Sequence, residues 1–278
     1  MESLKYKDLA DSIKNVFLNS SISFDKKITK YSNEQNDYIA DQIWFNAAEE
    51  VDGKPPIVYS VVTPWDSVSN TAPQHAIVFQ GGEVIANKDF THFADQRTAI
   101  MGSITLNYVA LEQKNILIYG CGKIARCSVA ALSELHQVDS ITYTNRRGHS
   151  SDEFEEYCSS VGVNASFSSA PELSKYNVVL LHTDASSPIF TKEMSSSLST
   201  PAIVASFKTE ELDSELTVAN DTQFQIRNLD SELEKLNAKN SISLQRLFSA
   251  SEDLKQDLIV YSSGGSTQQN VAVLKLLI

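Results

Sequence analysis

Cysteine is scarce in this chain. Cys121, Cys127 and Cys158 are three thiols among 278 residues, odd in number and without Cys-x-x-Cys spacing, so neither a disulfide framework nor a zinc knuckle is expected. Histidine patterns for metal are missing too: His75, His92, His136, His149 and His182 are scattered, with no His-x-x-x-His pair on one helical face, and no structural metal is expected. Apolar runs long enough to span a bilayer, roughly 20 residues, do not occur, and the opening Met1-Glu2-Ser3-Leu4-Lys5-Tyr6-Lys7 lacks an apolar signal core. Basic charge is in deficit, with 23 Lys plus Arg against 35 Asp plus Glu and a net charge of -12. A surface of that sign repels phosphate backbones and anionic lipid, so neither nucleic acid nor a membrane is expected as a principal partner. A cytoplasmic enzyme or small-molecule-binding protein is the class left standing.

What is present falls into two grammars. Leu9, Ile13, Val16 and Phe17 recur at helical spacing and predict an opening amphipathic helix that stops at Asn19-Ser20-Ser21. The runs 57–62 and 75–79, rich in β-branched and aromatic residues, predict strands, and Gly81-Gly82 between Phe79 and Val84-Ile85-Ala86 predicts a hairpin. A helix is expected over 95–111. Beyond it the order becomes strand (115–119), helix (123–135), strand (140–144), then apolar runs at 178–181, 202–205 and 258–261. Runs that are apolar along their whole length suit strands covered on both faces, so the fold class is α/β with a parallel, Rossmann-type doubly wound sheet.

The chemistry concentrates at Gly120-Cys121-Gly122-Lys123-Ile124-Ala125, which follows one predicted strand and opens a predicted helix. The first glycine permits the turn and the second lets the backbone approach a diphosphate. A small residue at Ala125 allows close packing of helix on strand. The helix N-terminus then offers unpaired N–H groups to phosphate oxygens. At the end of the next strand, where an NAD site wants an acid for the ribose 2′-hydroxyl, stand Asn145, Arg146 and Arg147. Guanidinium groups there grip a 2′-phosphate through charge-assisted bonds, which favours NADP(H) over NAD(H) unless both arginines merely solvate a loop. The run Asp152-Glu153-Phe154-Glu155-Glu156-Tyr157 reads as a solvated helix face.

Read in order, several segments resemble the ornithine cyclodeaminase/mu-crystallin family. Gln96-Arg97-Thr98-Ala99 is similar to the segment that precedes the family's nucleotide fingerprint, and the fingerprint Gly120 to Arg126 and the strand end Asn145-Arg146 follow it. Thr183-Asp184-Ala185, Val204-Ala205-Ser206, Glu211-Leu212-Asp213 and Tyr261-Ser262-Ser263-Gly264 then fall in the family's sequence. The resemblance implies a discontinuous α+β substrate and dimerisation domain, residues 1–108 completed by 263–278, and a nucleotide-binding domain over 109–262. It implies a homodimer, and an amino-acid or imino-acid substrate whose carboxylate is bound by Arg97. It places Thr183, Ser206, Ser263 and Gly264 near the nicotinamide half of the cofactor.

Two departures from the family shape the expected activity. Cyclodeaminases carry an acid shortly after the fifth sheet strand, where this chain has Ser206-Phe207-Lys208, and Phe207 cannot accept a proton. The lysine that the family places before its proline loop is absent from Val58-Tyr59-Ser60-Val61. The resemblance therefore points to the reductase branch: NADP(H)-dependent reduction of a carboxylate-bearing imine or ketimine. A cyclodeaminase-like lyase and a non-catalytic NADPH-binding protein are the alternatives. No catalytic proton donor is assigned; Tyr59 and His92 are candidates, each with an ordinary structural reading.

Overall fold

The computed structural model describes residues 4–32, 38–66, 74–219, 223–228, 230–233, 240–250, 254–262 and 266–278. The chain forms two units, Met1–Arg97 with Ser266–Ile278, and Thr98–Gly265.

In the first unit, Leu9, Ile13, Val16 and Phe17 are all buried along one side of α1 (Tyr6–Leu18), as their spacing predicts. Five antiparallel strands follow in sequential order: β1 (Ile22–Ser32), β2 (Tyr38–Val51), β3 (Lys54–Asp66), β4 (His75–Gln80) and β5 (Glu83–Asp89). The register stacks Ala47, Tyr59 and Val78 in one row and Phe45, Val61 and Ala76 in the next. All six are buried and form the sheet's inner face. Gly81 and Gly82 both take positive φ, +61° and +86°, and close the β4–β5 hairpin at the expected place. β1 and β2 had no strand expectation. Their polar positions dilute the apolar alternation, and pairing with β3 supplies what local propensity does not.

α2 (Thr91–Leu106) begins a turn earlier than the expected helix and stops five residues sooner. The Asp89 carboxylate accepts the Thr91 N–H at 2.9 Å, which starts the helix and holds the Asp89 carboxyl below its ordinary range. At the other end Asn107 and Tyr108 donate to carbonyls three residues back, tightening the chain out of the helix.

The second unit contains β6 (Ile116–Tyr119), α3 (Lys123–His136), β7 (Ser140–Thr144), α4 (Asp152–Ser160), β8 (Asn164–Phe167), β9 (Val178–Leu181), α5 (Lys192–Ser196) and β10 (Ala202–Ser206). β11 (Phe224–Arg227), α6 (Asp230–Leu233), β12 (Ser241–Ser243), α7 (Leu244–Ser249) and β13 (Leu258–Ser262) complete it, and α8 (Thr267–Leu277) returns to the first unit. The sheet is parallel, in the order β12-β11-β13-β10-β9-β6-β7-β8. β6, β9, β10 and β13 are buried almost end to end, which is why their sequences show apolar runs rather than alternation. One face packs Leu117, Val179, Val204 and Val260 against Phe190, Leu198, Leu212 and Leu216. The chain winds outward from β6 to β8 and returns on the other side at β9. A topological switch point therefore lies between β6 and β9, at the carboxyl ends of the strands, where doubly wound sheets bind their ligands.

Candidate functional site

Gly120 lies at that switch point. Its φ is +105°, its N–H donates to the Thr144 carbonyl at 2.8 Å, and a Cβ placed on it would come within 2.2 Å of the His182 carbonyl oxygen. The backbone at the end of β6 thus presses on the backbone at the end of β9, and only a residue without a side chain fits. Gly122 answers a different need. Its φ is -81°, and an added Cβ would meet nothing within 4 Å. It caps α3 without any side-chain bond, so the first-turn N–H groups are left open beside it. Ala125 is buried as the small packing residue, and Lys123 and Ile124 belong to the same first turn.

A cavity of about 590 Å³ opens at this bend. Gly120, Cys121 and Gly122 line its floor, and Arg126, Asn145, Arg146 and Arg147 line one end. Thr183, Asp184 and Ala185 line the other, so the cavity brings together most of the expected nucleotide residues. Lys123, Ile124, Ala125 and Ser206 are not part of its wall, and Ser263 and Gly264 lie outside the described residues.

Asn145 acts through the turn it builds. Its Oδ1 accepts the N–H groups of Arg147 (3.0 Å) and Gly148 (3.1 Å), and its Nδ2 donates to the His149 carbonyl at 2.9 Å. That Asx turn sets Arg146 and Arg147, both exposed, at the cavity's edge. At the opposite end a buried carboxylate does the positioning: Glu211 Oε1 accepts from the Thr183 N–H (2.8 Å) and the Thr183 hydroxyl (2.7 Å), while Ser206 Oγ donates to Oε2 at 2.7 Å. Thr183 and Ser206, at the ends of β9 and β10, are therefore joined through one side chain, Glu211, whose role no local motif announces.

His182 carries no sequence signal beyond ending an apolar run, yet its place is closely defined. Ser128 Oγ donates its single proton to the Ala99 carbonyl at 3.1 Å, so the 2.8 Å contact between Ser128 and His182 requires His182 Nε2–H to donate. The ring stacks on Phe207 at 5.1 Å and 12°. Burial pushes the imidazole pKa down to about 3, and the ring is neutral through the physiological range. An unfolded histidine takes its proton near pH 6.5, so His182's stabilising contribution is complete above about pH 6.5 and declines as pH falls toward 3. Urea unfolding at pH 7 and pH 5 is expected to show about 2 kcal/mol of stability lost through this group, and His182→Gln should remove that part of the slope. An unchanged slope in the variant contradicts the neutral buried ring.

Arg97 is buried in the first unit, 6% exposed, with Nη1 donating to Gln269 Oε1 at 3.4 Å; it is not a surface arginine. Tyr59 is buried too, and its hydroxyl donates to Glu49 Oε2 at 2.7 Å. Burial, with Glu49 beside it, pushes the Tyr59 pKa far upward. Lys275 approaches the same carboxylate through Nζ. Among the described residues no group of three or more His, Cys, Asp and Glu is placed to hold a metal ion, and no helix is long and apolar enough to cross a membrane.

The model of the ornithine cyclodeaminase/mu-crystallin family matches residues 75–277. Alanine dehydrogenase of Archaeoglobus fulgidus is 26% identical over 113 residues, 40% of this chain and 35% of that enzyme, so the chain matches about a third of that relative's length. Two solved structures share the fold over 98% of this chain. The iminosuccinate reductase of Paracoccus denitrificans in complex with NAD+ superposes with a TM-score of 0.79 at 12% identity, over 90% of that chain. The Δ1-pyrroline-2-carboxylate reductase of Thermococcus litoralis, in complex with NADH and L-proline, gives 0.77 at 14% identity, over 92% of that chain.

Proposed function

Because this chain belongs to the ornithine cyclodeaminase/mu-crystallin family, we propose that it is an NADP(H)-dependent oxidoreductase that reduces the C=N bond of a carboxylate-bearing imine or ketimine. The observation that carries this reading is the Asn145 turn, which presents Arg146 and Arg147 to the cavity where an NAD site would place an acid at the strand end. The open space at Gly122 and the uncapped N-terminus of α3 suit a diphosphate. In this reading the first-turn amides hold that diphosphate, Arg146 and Arg147 hold the 2′-phosphate, and Thr183, held by Glu211, borders the nicotinamide half. The bound cofactor supplies hydride. Arg97 anchors the substrate carboxylate, and the chain acts as a homodimer, as the family likeness implies.

Positioning then supplies much of the rate, because an iminium carbon accepts hydride readily once both partners are held in contact. Phe207 offers no acid or base at the end of β10, which weighs against a deaminating cyclisation. A second reading, a binding protein without turnover, is favoured by Tyr59, whose hydroxyl is buried and committed to Glu49. One experiment separates the readings: titrate NADPH by its fluorescence, then offer cyclic imino acids and pairs of keto acid and amine. Consumption of NADPH supports the reductase, and binding without consumption supports the second reading. Release of ammonia and proline from ornithine supports the lyase.

Arg97→Ala is expected to raise the KM for the carboxylate substrate about tenfold or more, the worth of a charge-assisted pair, while NADPH affinity changes less than about twofold. Steady-state kinetics with a parallel NADPH titration checks both halves. Unchanged KM would remove Arg97 from the substrate site.

A further inference from the structure

The arginine end of the cavity contains an ion pair that the nucleotide fingerprint does not explain. Arg126, in the first turn and a half of α3, points Nη2 at Glu153 Oε1 of α4 at 2.8 Å, and both residues line the cavity with Arg146 and Arg147. The contact is one-sided. Arg126 Nε is buried with no hydrogen-bond partner among the described residues, so the guanidinium fork is only half used. Glu153 is held loosely, its side chain 77% exposed, and an exposed pair of this kind contributes little to stability. A weakly held carboxylate thus occupies a guanidinium beside the two arginines assigned to the 2′-phosphate.

We infer that Arg126 is a third guanidinium of the 2′-phosphate subsite and that Glu153 is its internal competitor, so that Glu153 sets how strongly the site distinguishes NADP(H) from NAD(H). The inference rests on the cofactor reading above. Its chemistry is exchange of one oxyanion for another: a phosphate dianion brings more charge and more acceptor oxygens to the Arg126 Nη atoms than the carboxylate it displaces. A 2′-hydroxyl brings no charge and cannot displace Glu153. The carboxylate also repels the 2′-phosphate through space and leaves the 2′-hydroxyl almost untouched. Glu153 therefore weakens one cofactor selectively, and the helix face read from sequence as merely solvated carries a specificity determinant.

The test is binding, with no turnover needed. NADPH and NADH are titrated by fluorescence into the wild-type chain, Glu153→Gln, Arg126→Met and the double variant, and 2′,5′-ADP and 5′-AMP serve as competitors that isolate the 2′-phosphate. Glu153→Gln is expected to tighten NADPH and 2′,5′-ADP about threefold to tenfold, with NADH and 5′-AMP within about twofold. Arg126→Met is expected to weaken NADPH about fivefold or more and to abolish the gain from Glu153→Gln in the double variant. Equal tightening of both cofactors overturns the inference, as does a gain that survives without Arg126. Loss of NADH affinity in Glu153→Gln also overturns it, because the carboxylate would then be holding the 2′-hydroxyl. Wild-type binding of NADPH with no change in either single variant overturns this inference alone, whereas no binding of NADPH by any form removes the cofactor reading beneath it.

Discussion

Gly120→Ala is expected to be the most damaging single-methyl change in the nucleotide-binding unit. The new Cβ would lie 2.2 Å from the His182 carbonyl oxygen, a backbone atom that cannot rotate away, at a residue whose φ of +105° already excludes ordinary side chains. Strained φ and overpacking together cost about 2–5 kcal/mol, because either β6 and β9 separate at their ends or the bend changes conformation. Either outcome moves the amides meant for the diphosphate, so NADPH affinity should fall more than about hundredfold, or nearly 3 kcal/mol. Urea unfolding and NADPH titration measure the two effects. Gly122→Ala is the control: its Cβ enters open space, so the midpoint of unfolding should stay put while NADPH binding weakens. If Gly120→Ala melts and binds like the wild-type chain, the close approach of the two strand ends is wrong.

Arg146→Glu is expected to weaken NADPH about hundredfold while NADH changes less than about threefold. A guanidinium–phosphate bond contributes about 1.5–3 kcal/mol, and reversing the charge replaces that attraction with repulsion in the same place. Because Arg146 is exposed on a turn held by the Asn145 side chain, whose Oδ1 accepts the Arg147 and Gly148 N–H groups, the substitution should leave folding intact. Affinity lost equally for both cofactors would point to the diphosphate rather than the 2′-phosphate. Raising the salt concentration should narrow the wild-type preference for NADPH, since the arginines lie within reach of solvent ions.

The parallel sheet was legible because burial on both faces leaves a direct trace. The apolar runs at 178–181 and 202–205 fall on β9 and β10 to within a residue. The fingerprint was legible for a related reason, since a bend that must bring backbone against backbone tolerates few residues. β1 and β2 were not legible. They are long, carry polar residues at both odd and even positions, and pair with neighbours up to 27 residues away in sequence (Ile22 with Glu49), which local pattern does not register. β11 and β12 were missed for the same cause: both are short, β11 pairs with β13 from later in the chain, and β12 is added at the sheet edge against β11 alone.

The site divides in the same way. Gly120, Gly122 and the arginines were found because their chemistry is local to one turn. Glu211 and His182 were passed over because each acts on residues distant in sequence: Glu211 joins Thr183 to Ser206, and His182 links α3 to Phe207. Glu153 was read as a solvated acid, and its exposure agrees with that. Only the position of Arg126 on the neighbouring helix turns it toward the cavity.

The most direct trial of the account is a crystal structure of the chain grown with NADPH. Its diphosphate is expected against the Gly122 and Lys123 amides at the start of α3, with the 2′-phosphate within about 3 Å of the Arg146 guanidinium. A cofactor bound elsewhere, or a 2′-phosphate turned to solvent away from both Arg146 and Arg147, would contradict it.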